Sequence, residues 1–180
     1  ATLLAIEQVL ATKEKIPFTY DSLKEEPAII REETAPYMYS AREYDAKDIE
    51  NLSEWARAEL INGKLYMLSA PNRLHQYFVK GLVFEIESFI RKNKGKCHVY
   101  ASPFDVRLFG DDSTIVQPDI LVVCSRDILT EKGCSGAPDW VIEIVSRSNS
   151  SHDYVRKLMQ YQKAGVREYW IVDPFQELSS

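Results

Sequence analysis

Past residue 40 the apolar positions fall into runs that alternate between a period of 2 and a period of 3.6, so strands and helices take turns along the chain. Asp48 to Ala58 reads as a short helix carrying Leu52 and Trp55. In the run Glu59-Leu60-Ile61-Asn62-Gly63-Lys64-Leu65-Tyr66-Met67-Leu68, Asn-Gly separates two apolar stretches. That dipeptide predicts a tight hairpin, because both turn residues must accept a positive φ. Pro71-Asn72 then opens a long helix to about Lys92, with Phe78, Val79, Leu82, Val83, Ile86, Phe89 and Ile90 on its helical stripe. Basic residues and Gly95 mark its end. Strands are expected over His98–Phe109, Ile115–Cys124 and Trp140–Ser146. A helix from about Ser151 to Ala164, stopped by Gly165, leads into a last strand, Glu168–Val172. This order predicts an α/β (α+β) domain, a mixed β-sheet flanked by helices.

Residues 1–40 read differently. They are Glu-rich and broken by Pro17, Pro27 and Pro36, with only a short helical stripe at Leu3, Ile6 and Leu10. The chain therefore divides into an N-terminal extension, 1–40, and a domain over 41–180.

Composition narrows the class. Hydrophobic residues at 45% and charged residues at 27% exclude a disordered or fibrous chain. No apolar run approaches the roughly 18 residues of a membrane span, so no membrane partner is expected. The start, Ala1 to Val9, has no basic cluster before its apolar residues and does not read as a secretory signal. Cys97, Cys124 and Cys134 are odd in number and lack C-x-x-C spacing, which speaks against a disulfide framework and for a reducing cytoplasm. The net charge of −5 argues against a nucleic-acid partner at first sight. The excess acid, however, is N-terminal: residues 1–61 hold 7 Lys+Arg against 13 Asp+Glu, residues 62–180 hold 15 against 14.

Two acids stand where acids are costly. Asp119 lies in a run of Ile, Val and Leu, and Glu143 lies in Trp140-Val141-Ile142-Glu143-Ile144-Val145. A buried carboxylate must be paired, hydrogen-bonded or metal-bound. Two of them on neighbouring strands point to a Mg²⁺ site, since that ion takes few carboxylates and keeps its waters. The alternative is that each bonds to a buried Arg or a backbone amide. No Gly-rich phosphate loop, G-x-S-x-G, H-E-x-x-H or C-x-x-C motif is present.

These acids sit inside a wider pattern. Gln117-Pro118-Asp119, Val141-Ile142-Glu143-Ile144-Val145-Ser146, Asp153-x-x-x-Lys157 and Gly165-Val166-Arg167-Glu168-Tyr169-Trp170-Ile171-Val172-Asp173-Pro174 resemble the Uma family of restriction endonucleases, within the PD-(D/E)XK nuclease superfamily. Ala58 to Lys64 and His75-Gln76 extend the resemblance, which covers about residues 48–174. It implies a restriction-endonuclease-like fold with Asp119 and Glu143 as metal-binding acids. The superfamily signature has Lys two residues after the second acid, where this chain has Val145. Lys157 is the candidate to replace it, because the family carries Lys at this helix position. A cation near the attacked phosphate is needed, whichever element supplies it. The plain alternative is a surface pair between Asp153 and Lys157, four residues apart on a helix.

Glu59 opens the hairpin strand and reads either as a further metal ligand or as a strand-edge charge. His75 continues the helix face through Val79 and Leu82, as a hydrogen-bonded core residue or a support for the site. Asp105 either pairs with Arg107 or faces the site. Gln117 and Asp153 complete the supporting candidates, while Tyr169 and Trp170 read as core. The resemblance thus implies a Mg²⁺- or Mn²⁺-dependent endonuclease acting on DNA, leaving 5′-phosphate and 3′-hydroxyl ends, with Asp119, Glu143 and Lys157 catalytic. A homodimer is an open assembly. The alternative is a nuclease-fold module that binds nucleic acid or protein without cutting. A glycosidase with two carboxylates is disfavoured by the burial of both acids in strands. The family continues past Asp173-Pro174 with strands that Phe175–Ser180 do not match, which implies further sheet beyond these 180 residues.

Overall fold

A computed structural model describes residues 43–53, 56–146 and 151–175, the side chains of 151–155 excepted. The expected extension over 1–40 and its boundary lie outside the described residues, as does Trp55. Elements are numbered in chain order over the described part. Helix α1, Ala46–Glu50, is shorter than the expected 48–58 and starts earlier. Its start is fixed by Asp45 and Asp48, which bond reciprocally to each other's backbone amides. Strands β1, Ala58–Ile61, and β2, Lys64–Met67, pair across Asn62-Gly63, both with positive φ of 50° and 72°. That is the hairpin the Asn-Gly pair predicts.

Helix α2, Arg73–Lys92, is capped by the Asn72 side chain on the His75 amide. His75, Val79, Leu82 and Ile86 form its buried stripe. It stops where Lys94 takes a positive φ of 52° and the Gly95 amide donates to the Ile90 carbonyl. Strands β3, His98–Ala101; β4, Asp105–Arg107; β5, Thr114–Val116; and β6, Ile120–Val123 follow. After a 3-10 turn come β7, Gly133–Ser135, and β8, Trp140–Ile144. Helix α3, Ser151–Ala164, and β9, Glu168–Val172, have the expected bounds.

The strands make two mixed sheets, in the orders β2-β1-β5-β4-β7 and β3-β6-β8-β9. Each of the two long strands expected between 98 and 124 is broken, and its halves lie in different sheets. The breaks fall at Pro103 and Pro118, residues without the N–H a ladder needs. The sheets share one core, in which Ile61, Val106 and Val116 of the first meet Leu121, Val123 and Val141 of the second and Tyr161 of α3. Alternation along β6 and β8 turns the other face of the second sheet toward α2, which packs against β3 and β8.

One cysteine expectation needs correction. Cys97 and Cys124 form a disulfide. The β3–β6 register pairs His98 with Val123 and so sets the two cysteines across from each other, although they are 27 residues apart in sequence. Cys134 is free and buried, and burial pushes its thiol pKa up to about 12, so it is inert. Among the described residues no helix is long and apolar enough to cross a membrane.

Candidate active site

The break at Gln117-Pro118-Asp119 creates the site. Because Pro118 ends the β5 ladder, Asp119 stands at the mouth of β6 rather than inside a strand. Ile120 pairs with Ile142 in the antiparallel β6–β8 ladder. Continued by one residue, that register sets Asp119 across from Glu143. Asp119 Oδ2 accepts from the Ile144 amide at 2.8 Å and lies 3.0 Å from His75 Nε2. The His75 ring thus carries its proton on Nε2, and its buried Nδ1 has no partner among the described residues. Glu143 is 3% exposed in β8, on the strand face that Val141 turns to the core. Glu59, equally buried in β1, accepts from the Gln117 amide at 2.9 Å. Two acids from β1 and β8 and a third from the turn entering β6 therefore converge where the two sheets part.

Lys157 and Tyr161, four apart on α3, share one helix face and meet these acids. The Lys157 ammonium bridges Glu59 Oε1 at 2.8 Å and Glu143 Oε1 at 3.0 Å. The Tyr161 hydroxyl, wholly buried, donates to the same Glu143 oxygen at 2.9 Å. Burial pushes the Glu143 carboxyl up to about 7; Lys157 opposes this, while Asp119 and Glu59 add to it. Burial alone would strip the Lys157 proton, but Glu143 and Glu59 outweigh it and hold the ammonium above its ordinary pKa. Burial and the same two acids keep the Tyr161 phenol protonated well above the usual range. Tyr161→Phe removes one donor and leaves the buried carboxylate short of a partner. It is expected to lower stability by about 1–3 kcal/mol, read from urea unfolding of the metal-free protein; an unchanged midpoint would show that this bond contributes nothing.

The arrangement suits a hard divalent cation. Among the described residues, Asp119 Oδ1 and Glu143 Oε2 carry no hydrogen bond, so each acid keeps one oxygen free. The acids around Glu143 disfavour its own charge, a conflict that a cation relieves. Among the described residues no group of three or more His, Cys, Asp or Glu is placed to hold a metal ion, so any ion here would draw on two acids and on water. An ion with two carboxylate oxygens and several waters, as Mg²⁺ prefers, fits that donor set. Glu59 is committed through Oε1 to Lys157 and to the Gln117 amide, and offers an ion Oε2 alone.

Gln117 ties the surroundings together. Its side chain donates to Asp105 Oδ1 at 2.7 Å and accepts from Arg57 Nε at 2.9 Å. Asp105 thus faces this network rather than Arg107, which pairs with Asp112 and Glu50. The Asp153 side chain lies outside the described residues. Tyr169 packs on Tyr161 and Trp170 on Trp140, at ring-centroid distances of 5.0 and 4.7 Å, as core residues do. A cavity of about 580 Å³ opens at the other end of β6 and β8, beside Cys97–Cys124. Its Arg167 is bound to Asp139 and its Arg126 to His98, and it shares no residue with the acids.

Two residues of this constellation escape the sequence. Tyr161 reads as core, and the only hint is a hydroxyl four residues after Lys157. Arg57 sits two residues before Glu59, on the same side of an extended strand, but its partners lie 45 and 60 residues away.

The comparisons agree with this fold. The family model Uma2, described as "putative restriction endonuclease", matches residues 42–178. The crystal structure of a "putative nuclease belonging to DUF820" from Anabaena variabilis ATCC 29413 is similar, with a TM-score of 0.55 and 28% identity. The match covers 65% of this chain and 66% of that one, just under two thirds of the relative's length. No curated protein matches the chain.

Proposed function

The chain belongs to the Uma2 family, and from that premise we propose that it is a metal-dependent endonuclease hydrolysing phosphodiester bonds of DNA. The observation that carries this reading is the buried Glu59–Lys157–Glu143–Tyr161 network, set directly against Asp119. Asp119 and Glu143 would hold Mg²⁺ or Mn²⁺, with Glu59 as a further donor. When bound, such an ion lowers the pKa of a water and neutralises phosphate charge.

The protein's own groups do the rest. His75 and the Ile144 amide fix one Asp119 oxygen, so that the other is aimed. Tyr161 and Lys157 fix one Glu143 oxygen in the same way. An ammonium has three donors; Glu59 and Glu143 take two, and the third is left for a water or a phosphate oxygen. Held above its ordinary pKa, Lys157 is no general base at neutral pH. It is a charged donor that orients the nucleophile and meets charge developing on the phosphate. Cleavage breaks the bond from phosphorus to the 3′-oxygen and leaves 5′-phosphate and 3′-hydroxyl ends. Gln117 and Asp105 brace the loop before Asp119, and Asp153 belongs to the helix turn that precedes Lys157. A cytoplasmic setting and a homodimer remain part of the proposal.

The test is plasmid DNA incubated with the protein in Mg²⁺ or Mn²⁺ and in EDTA. Metal-dependent nicking or linearisation is expected, and the ion should raise the melting temperature by binding the folded state alone. A protein stabilised by the ion that binds DNA yet never cuts it would be the non-catalytic module instead. Absence of both effects would sink the metal-site reading.

A further inference from the structure

Among the described residues the site holds three acids and commits one cation, Lys157, to two of them. Lys157 is bonded to both Glu59 and Glu143, so most of its charge is already answered. A phosphate entering this acidic place needs another cation. Among the described residues, Arg57 is positioned for it. Its backbone carbonyl accepts from the Leu68 amide, which extends the β1–β2 ladder by a step and fixes Arg57 relative to Glu59. Its Nε donates to Gln117 Oε1 at 2.9 Å and its Nη2 donates to Ser102 Oγ. Both partners adjoin Asp119: Gln117 is two residues before it, and the Ser102 amide donates to the Asp119 carbonyl at 3.0 Å.

What holds Arg57 is neutral. Among the described residues no carboxylate lies within ion-pair reach of its guanidinium, and Nη1 has no partner. By contrast Arg107, Arg91 and Arg167 each have a carboxylate. A half-buried guanidinium oriented by two neutral oxygens, with charge and donors to spare, is arranged for an anion absent from the free protein. Resting on the nuclease reading above, we propose that Arg57 binds a backbone phosphate of the nucleic acid beside the Asp119–Glu143 pair. Its role is positional, since phosphate contacts set the register of the substrate without reading its sequence.

The experiment is fluorescence anisotropy of a labelled DNA duplex with Ca²⁺ in place of Mg²⁺, over a range of salt. Wild type is compared with Arg57→Gln and Arg57→Lys, each checked for folding by thermal melting; Arg57→Met stands in if the Gln variant does not fold. A phosphate contact contributes about 0.9 to the slope of log affinity against log salt. Arg57→Gln should weaken binding about tenfold and lower the slope by about that amount. Arg57→Lys keeps the charge and should restore the slope, with a smaller loss of affinity. Ion-induced stabilisation should be unchanged in all of them. If both variants lose affinity equally with the wild-type slope, Arg57 is only a brace for Gln117 and Ser102, and the proposal fails. Wild-type affinity and slope in Arg57→Gln would also overturn it. A wild-type protein with no affinity for the duplex removes the nuclease reading itself, and this inference with it.

Discussion

Asp119→Asn is expected to lose metal-dependent cleavage by about a thousandfold or more while the protein folds as well as wild type. The asparagine keeps the shape of the aspartate and still has an oxygen for the Ile144 amide, the bond that ties Asp119 to β8. What it loses is the charge. Charge aimed at the reacting centre is where hydrolytic sites concentrate their effect, about 10²–10³-fold for a single hydrogen-bond donor, and an acid that holds the ion contributes more than one donor. The second readout is thermal. At an ion concentration a hundred times the dissociation constant, binding stabilises the folded state by about 2.7 kcal/mol; in Asp119→Asn most of that shift should vanish. In EDTA the ordering can reverse. Asp119 and Glu59 both press the Glu143 carboxyl toward its neutral form, so removing one negative charge relieves repulsion, against the lost charged contact with His75. A variant that cuts normally, or one still stabilised by the ion as wild type is, would take Asp119 out of the site.

How far this site can be read from the chain depends on the distance over which each residue is specified. The Asn62-Gly63 hairpin, the α2 stripe and the bounds of α3 and β9 are local, and the sequence predicts them. Asp119 and Glu143 stand out because an acid in an apolar run needs a local explanation. The error over Ile115–Cys124 was local too. An unbroken strand was expected through Pro118, although proline cannot donate to a ladder. Its consequence is large, since the break is what frees Asp119 from the sheet and parts the two sheets around the acids. The link from Lys157 to Glu59, by contrast, joins α3 to β1 across the core. No periodicity encodes such a contact; the family resemblance pointed to Lys157, and its place beside the Tyr154, Leu158 and Tyr161 stripe only set it toward the sheet. Tyr161 was hidden because an aromatic on an apolar stripe reads as packing, and it does pack; its hydroxyl is what serves Glu143. Cys97 and Cys124 show the same limit, being brought together by strand register.

Lys157→Met should damage both stability and cleavage, and pH separates the two effects. The ammonium is enclosed with two buried carboxylates, 2.8 and 3.0 Å away. Removing one partner of a buried ionic group typically costs about 3–5 kcal/mol, because the charges left behind are uncompensated. The variant should therefore unfold at a much lower urea concentration at pH 8. In wild type the Glu143 pKa is already raised to about 7. Such a group favours the folded state most below its unfolded value, and that advantage is lost as pH rises through the folded one. Without the ammonium, which works to lower it, the Glu143 pKa rises further. The folded variant then binds more protons than the unfolded chain over a wider range, so the deficit should shrink as pH falls toward 5. The Lys157 charge itself persists through the neutral range, since its own pKa is raised. Adding Glu59→Gln to Lys157→Met removes one of the stranded charges and should recover part of the loss, a coupling that a double-mutant cycle measures. Mg²⁺ should also recover stability, because the acids proposed to bind it are intact. Cleavage should not recover: with the ion saturating, Lys157→Met should remain at least about a hundredfold slow. Lys157→Arg should rescue little, since a planar guanidinium cannot occupy the point between Glu59 and Glu143 that a compact ammonium fills. A Lys157→Met protein as stable as wild type at pH 8 would mean that the network does not hold the site together. One that cuts at the wild-type rate would leave Lys157 a structural clamp and move the search for the catalytic cation elsewhere, first to Arg57.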